Sequence, residues 1–545
     1  MAATSLRVNT STTTHPTSKA SPHSKILSPR PQSRTTRVEQ DLGLSKVIGT
    51  TTTSSNAFNA LPSSRSIGYI AGAVAVLAKV NDDGSLSQSF YHFRHSTTSQ
   101  TANRALNELS LNPLSPSSPR GRGPSRHRDS IAGLSSFGSS LYDTLDSPGS
   151  KNTAFGTEKV KPLACLSISP NGKLLAAGEV GHKPRVLVFS LAQEAYKEPL
   201  IASLSKHTFG VRSLAFSPDS QLLASLGDVN DGYLYVWSTQ GRFGLSEPVA
   251  SNKCTTVVRA MAWMGKRLIT VGTRHVKVWN VDTTLSENPE AKPLADQMST
   301  LSLDAPKTLI GRSRLLGPLL DSTFTAVVPL TSDKAIICSE EGDICILDDN
   351  DTNERLLWMT RTSFPIFTAT LLTENLLLVA GRDGRMKLFG LEKWLSGPLV
   401  EDRTDYDRGI EIKVGQTRNS IIAMAYLGKD LVVLDDCRTL QIMPCEPSGT
   451  WYSNHNTQTL SAHGATPVGI FPDAVESDPD CAFVTWAADG VVMFWTRQGL
   501  CIRQVKVILD QQQLADEVIT NELKVVKRSR SGKHIISGDR YGMLR

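Results

Sequence analysis

Residues 206–237, KHTFGVRSLAFSPDSQLLASLGDVNDGYLYVW, constrain the fold more than any other stretch. Apolar residues alternate at Val211, Leu214 and Phe216 until Ser217-Pro218-Asp219 interrupts them. A second apolar run covers 222–226, Asp231-Gly232 interrupts again, and a third run covers 233–237. Pro and Asp suit a type I turn, and Asp-Gly suits a tight hairpin. Three short runs divided by such turns predict one antiparallel β-meander.

The joint spacing of His207, Ser217-Pro218-Asp219, Asp231-Gly232 and Trp237 resembles a WD repeat, which implies one blade of a β-propeller. Related patterns recur along the chain. Residues 163–191 carry Ser169-Pro170-Asn171-Gly172, and 257–279 end on Trp279. Residues 323–347 have Glu341-Gly342 and end on Leu347, whereas 366–389 have Asp383-Gly384 and end on Phe389. Residues 421–443 carry Asp436-Cys437, and 468–495 restore Asp489-Gly490 and Trp495. Upstream, 46–52, 67–71, 74–77 and 87–93 read as the four strands of a divergent first blade. Downstream, 523–526 and 534–539 read as two strands and 541–545 as the start of a third, the pattern expected of a truncated array.

The predicted class is therefore all-β: a first propeller of about seven blades over 44–450, then an incomplete second over 451–545. Residues 1–43 form a Ser/Thr/Pro-rich arm with almost no large apolar residues, too poor in burial to offset ordering entropy. Residues 95–157 form a second segment of this kind, inserted between blades, where a longer loop costs little extra closure entropy. Ser21, Ser28, Ser115, Ser118 and Ser147 precede Pro in these two segments and are candidate phosphorylation sites; the second also holds Arg120, Arg122, Arg126 and Arg128. Ser169-Pro170 and Ser217-Pro218 instead occupy expected inter-strand turns.

Over 545 residues the formal charge is only +6, which does not by itself imply nucleic acid. None of the 8 cysteines forms a CxxC pair, and most fall within apolar strand runs, which favours a reducing compartment. The longest apolar stretch, 67–80, is broken by Gly68 and Gly72 and is too short to cross a bilayer.

Beyond the generic repeat, several segments resemble one subfamily. They include Lys46-Val47-Ile48-Gly49, Tyr69-Ile70-Ala71-Gly72, Gly178-Glu179-Val180-Gly181-His182-Lys183-Pro184, Arg274-His275-Val276-Lys277-Val278-Trp279 and Gly311-Arg312-Ser313. They are similar to the mitogen-activated protein kinase-binding WD-repeat proteins, which include a microcephaly-associated spindle-pole member. The resemblance implies tandem propellers followed by a long tail for kinase docking and self-association. Expected partners are proteins, including mitogen-activated protein kinases or spindle-pole proteins. The expected location is the cytoplasm, the cytoskeleton or the spindle pole, with the nucleus as alternative. A second reading, from a different class, is a WD-repeat component of a ribosome or small-nucleolar-RNA assembly complex.

His207, Ser225 and Asp231 mimic a hydrolase triad, but in WD repeats these positions form a structural hydrogen-bond network ending on Trp237, and that is the expectation here. No phosphate-binding loop, dinucleotide fingerprint or HExxH is present, so no enzyme and no cofactor are expected. Cys338 and Cys345 lack the partners of a zinc set. Residues 161–168 resemble a kinase-docking peptide, but their alternation fits a blade's inner strand, where they are unavailable for docking.

Overall fold

The computed structural model describes residues 44–82, 85–93, 160–192, 199–240, 245, 247–281, 306–350, 353–395, 409–412, 419–446, 458–473, 479–510, 512–514, 517–519 and 521–545. The expected arm 1–43, the insert 95–157 and all five candidate phosphosites therefore lie outside the described residues. The elements described below belong to one unit, residues 46–545.

Antiparallel sheets follow one another along this unit. The first pairs Phe58–Leu61, Ser66–Ala71, Val74–Val80 and Leu86–Tyr91, and the second runs from Leu163–Ile168 to Leu200–Leu204. The third contains Val211–Phe216, Leu222–Gly227, Tyr233–Ser238 and Pro248–Lys253, with the short strand Lys307–Thr308 added in parallel at its outer edge. The fourth to seventh sheets begin with Val258–Met264, Phe324–Pro329, Ile366–Thr373 and Ile421–Tyr426.

A separate apolar cluster fills each seam. Leu61, Ile70 and Ala75 meet Leu166 and Leu175 between the first and second sheets. Corresponding clusters join the second to third, third to fourth, and so on to the sixth and seventh. The ring then closes on itself: Phe58, Ile67 and Val76 of the first sheet pack on Ala423, Val432 and Leu440 of the seventh. Arg65 reinforces that last seam by an ion pair to Asp430 at 2.6 Å. A sheet with one apolar face per side has no stable place alone, and seven of them satisfy one another only as a closed cycle. Among the described residues this is a seven-bladed propeller.

The lead-in to the first sheet reaches across the ring. The short turn Ser55–Ala57 sits against the first strands of neighbouring blades. Asn56 donates from Nδ2 to the carbonyl of Arg259 in the fourth sheet at 3.0 Å and accepts from Ser213 of the third at 3.4 Å.

Two details depart from expectation. Residues 46–52 are not the inner strand of the first blade; Phe58–Leu61 is, in register with Ser66–Ala71. The earlier segment runs beside the sheet without joining its ladder. The side chain of Gln88 replaces a strand for it, bonding the amide and carbonyl of Val47 at 2.9 and 3.0 Å, while the Thr51 amide donates to the Ile70 carbonyl. The seventh sheet also runs past residue 450, because Gln458–Leu460 pairs with Leu440–Pro444 as its outer strand.

Beyond the ring, Pro467–Pro472, Phe483–Ala487, Val491–Trp495 and Cys501–Lys506 form an eighth sheet. Past the short hairpin of Gln512–Leu514 with Glu517–Ile519, Leu523–Arg528 and Ile535–Asp539 pair as a further sheet, hereafter the ninth, which packs on the eighth through Trp486, Phe494, Leu523 and Val526. Residues 541–545 turn back, and Gly538 bridges Leu544.

Candidate functional site

The third blade brings its four motif residues together. Trp237 Nε1 donates to Ser225 Oγ at 2.9 Å, Ser225 lies 2.9 Å from His207 Nε2, and His207 Nδ1 lies 2.6 Å from Asp231 Oδ2. One proton arrangement satisfies every atom: the indole donates to the hydroxyl, the hydroxyl to Nε2, and Nδ1–H to the carboxylate. The second carboxylate oxygen accepts from the Thr208 amide at 2.6 Å. Burial pushes the Asp231 carboxyl up, but the hydrogen bonds from His207 and Thr208 outweigh it and hold the group below its ordinary range. His207 is 2 % exposed, Ser225 and Trp237 are 0 % exposed. A serine sealed this way cannot meet a substrate, and its hydroxyl is committed to His207 and Trp237. The triad is structural.

Similar relays recur at positions that the sequence did not single out. In the fourth blade, Trp279 Nε1 donates to Thr270 Oγ1 at 2.9 Å, which lies 2.9 Å from His275 Nε2. Lys277 sits 4.1 Å over the Trp279 ring. Burial, and secondarily the charge of Lys277, lowers His275 to about 4. In the eighth sheet, Trp495 Nε1 donates to Thr485 Oγ1 at 2.7 Å, and Thr485 lies 2.7 Å from His463 Nε2. The signal for Thr270 and Thr485 was present as a hydroxyl residue about ten positions before a blade-ending Trp. The fifth blade closes differently: Asp343 accepts from Ser339 at 2.9 Å, from Trp358 at 2.9 Å, and from Nε and Nη2 of Arg361 at 2.7 and 3.1 Å.

The turn residues are built for geometry. Asp383 and Gly384 take φ of 58° and 69°. Gly490 has φ 90°, and a Cβ there would lie 2.4 Å from the Val507 carbonyl, so only glycine fits. Asp489 is exposed and accepts from the Val491 amide at 3.2 Å. Ser169 and Ser217 are buried and cap their own turns, receiving the amides of Leu174 and Leu222 at 2.8 and 2.9 Å. Residues 161–168 include the inner strand Leu163–Ile168, whose residues are mostly buried.

None of the 8 cysteines forms a disulfide, 6 of them are buried, and burial pushes Cys338 up to about 12. Such thiols pack as small hydrophobes and are poor nucleophiles. Among the described residues no group of three metal-ligating side chains converges, and no helix is long and apolar enough to cross a membrane.

A cleft of about 590 Å³ lies where the first and seventh blades meet the eighth sheet. Residues 46–50 form one wall, held by Gln88 and by the Lys46 ammonium on the Gln498 carbonyl. Leu434, Leu440 and Leu460 of the seventh sheet, with Leu500, give it apolar surface. Among the described residues its charged lining side chains are Lys46 and Arg438, with no carboxylate.

A family model described as WD domain, G-beta repeat matches residues 198–238, which hold the outer strand of the second blade and the first three strands of the third. Mitogen-activated protein kinase-binding protein 1 of Mus musculus is 23 % identical over 452 residues, covering 71 % of this chain and 27 % of that protein. The chain thus matches about a quarter of that relative's length. Cilia- and flagella-associated protein 52 of Macaca fascicularis is 32 % identical over 127 residues, 22 % of this chain and 21 % of that one. Among solved structures, the β-propeller domain of Myceliophteria thermophila Cps50 (Swd1) aligns with TM-score 0.41 and 14 % identity, over 64 % of this chain and 97 % of that one. The repeat model falls on the blade whose relay is complete, and the seven-sheet ring supplies the architecture. The chain folds as a β-propeller, carries a match to the WD repeat at 198–238, and is similar over 71 % of its length to mitogen-activated protein kinase-binding protein 1.

Proposed function

We propose that the chain is a non-catalytic scaffold for protein–protein interaction, serving mitogen-activated protein kinase signalling or spindle-related assembly. The observation that carries the scaffold reading is the burial of the third blade's polar motif: the groups that mimic catalysis are consumed within the blade, leaving loops and rims as the available chemistry. The similarity to a kinase-binding relative over 71 % of this chain supports the signalling part. Regulation is assigned to phosphorylation at Ser21, Ser28, Ser115, Ser118 and Ser147. Ser169 and Ser217, also followed by Pro, are buried turn caps and make poor substrates. The cytoplasm is the proposed site of action.

The test is surface binding of purified mitogen-activated protein kinases to the full chain, with an RNA-retention arm at two salt concentrations. Capture of at least one kinase with Kd below roughly 10 μM, the range of specific transient recognition, is expected. Strongly salt-dependent RNA retention with no kinase bound would instead favour the RNA-assembly reading.

A further inference from the structure

We propose that the cleft between the first, seventh and eighth sheets is a binding site for an extended peptide of a partner protein, one that alternates acidic and apolar side chains. The proposal rests on the scaffold reading and adds to it a place and a chemistry. Four observations converge on that place.

The first is size and composition. About 590 Å³ lies within the range of ligand-binding clefts, and leucines line it beside polar groups. The second is charge. Lys46 and Arg438 line it, and among the described residues no Asp or Glu does. The Lys46 ammonium is already bonded to the Gln498 carbonyl, but the half-buried Arg438 side chain has no hydrogen-bond or ion-pair partner among the described residues. Arg438 is also held at φ 65°, a left-handed conformation that costs a non-glycine residue free energy and recurs where a side chain is presented for use. The third is an unmet acceptor. Gln458 Oε1 is buried without a donor, and an N–H entering the cleft would satisfy it. The fourth is an open edge. Gln458–Leu460 is the last strand of its sheet, and among the described residues nothing pairs with its outer side.

A peptide meets all four requirements at once. Its backbone supplies N–H and C=O groups to a strand edge and to Gln458. Its apolar side chains cover Leu440 and Leu460, and an intervening carboxylate reaches Arg438 in a bidentate pair. A free carboxylic acid would satisfy Arg438 alone, and a nucleic acid would leave the leucines wet.

The experiment uses the full chain and a fluorescein-labelled, end-blocked peptide in which aspartate alternates with leucine or valine. Its control carries asparagine in place of each aspartate. Fluorescence anisotropy is expected to show the aspartate peptide binding at least ~10-fold tighter than the control, as a charge-assisted pair requires. Arg438→Gln keeps the backbone strain and is expected to erase that ~10-fold preference. Arg438→Gly relieves the strain, so it is expected to erase the same preference while raising the melting temperature, which separates lost binding from lost folding. Equal affinity for both peptides, or a preference that survives Arg438→Gln, would overturn the site. So would competition by acetate alone, or tighter binding of an oligouridine with the same Arg438 dependence, since each names a different occupant. Kinase capture that persists when the peptide fails would remove this site and leave the scaffold reading standing.

Discussion

The third blade and the eighth sheet are built from the same repeat, yet they differ in what surrounds them. The inner strand Val211–Phe216 is buried on both faces, with Leu214 6 % exposed. Its counterpart Pro467–Pro472 has Ile470 65 % exposed and Val468 exposed as well. Their strand orders match, as do their Trp–hydroxyl–His relays. What differs is the neighbourhood: the third blade lies between two others, whereas the eighth sheet has the ninth on one side. The relays differ in parallel. Asp231 closes on His207 Nδ1, whereas His463 Nδ1 is buried without a partner and Asp489 faces solvent. A repeat motif specifies the strand ladder; burial comes from adjacent repeats.

That contrast is breakable at matched positions. Leu214→Asp places an uncompensated carboxylate in a sealed seam and should cost about 3–5 kcal/mol, whereas Ile470→Asp should cost less than about 0.5 kcal/mol. Urea midpoints of the two variants measure this, and equal losses would mean that the eighth sheet is as enclosed as the third.

A pH titration sharpens the comparison within the ring. His275 titrates near 4 in the fold because burial disfavours its charge, against about 6.5 in the unfolded chain. Between these values the unfolded state binds more protons, so stability is complete above pH ~6.5 and declines as pH falls toward 4. The loss attributable to this residue should reach roughly 3 kcal/mol at most. His275→Gln should flatten that part of the stability–pH curve, and an unchanged slope would place the loss on other groups.

The smallest pair tests the relays. Asp231→Ala leaves the His207 Nδ1–H and the Thr208 amide without their acceptor and should cost about 1–3 kcal/mol. Asp489→Ala removes an exposed turn acceptor and should fall within about 0.5 kcal/mol. Melting curves that move together would show that His463 draws on Asp489 after all.

The turns and most inner strands were legible because their signals are local: Asp-Gly, Asn-Gly and Ser-Pro-Asp demand particular dihedrals whatever surrounds them. Residues 46–52 misled because threonine runs carry β-propensity, while the true inner strand Phe58–Leu61 is brief and contains Asn59. Which segment joins the ladder was decided by the seventh blade, whose Ala423 and Val432 pack on Phe58 and Ile67, and no local window contains that information. The outer strand Gln458–Leu460 escaped for a similar reason, being three residues long and defined by its partner alone. The Asp231 relay was readable from spacing, whereas the Thr270–His275 and Thr485–His463 relays close without an aspartate on the histidine and so stand outside that spacing. The cleft was out of reach of pattern: its walls come from 46–50, 85–88, 434–440, 458–461 and 498–501.

Closure of the ring through Arg65 and Asp430 joins residues 365 positions apart. At synthesis rates of about 5–20 residues per second, the seventh blade leaves the ribosome roughly 20–70 s after the first. Throughout that interval Ile67, Tyr69 and Val76 present an apolar sheet face to solvent with no blade to cover it. The nascent chain thus carries an uncovered apolar face from its first blade onward, and the ring becomes self-sufficient only when its last neighbour arrives.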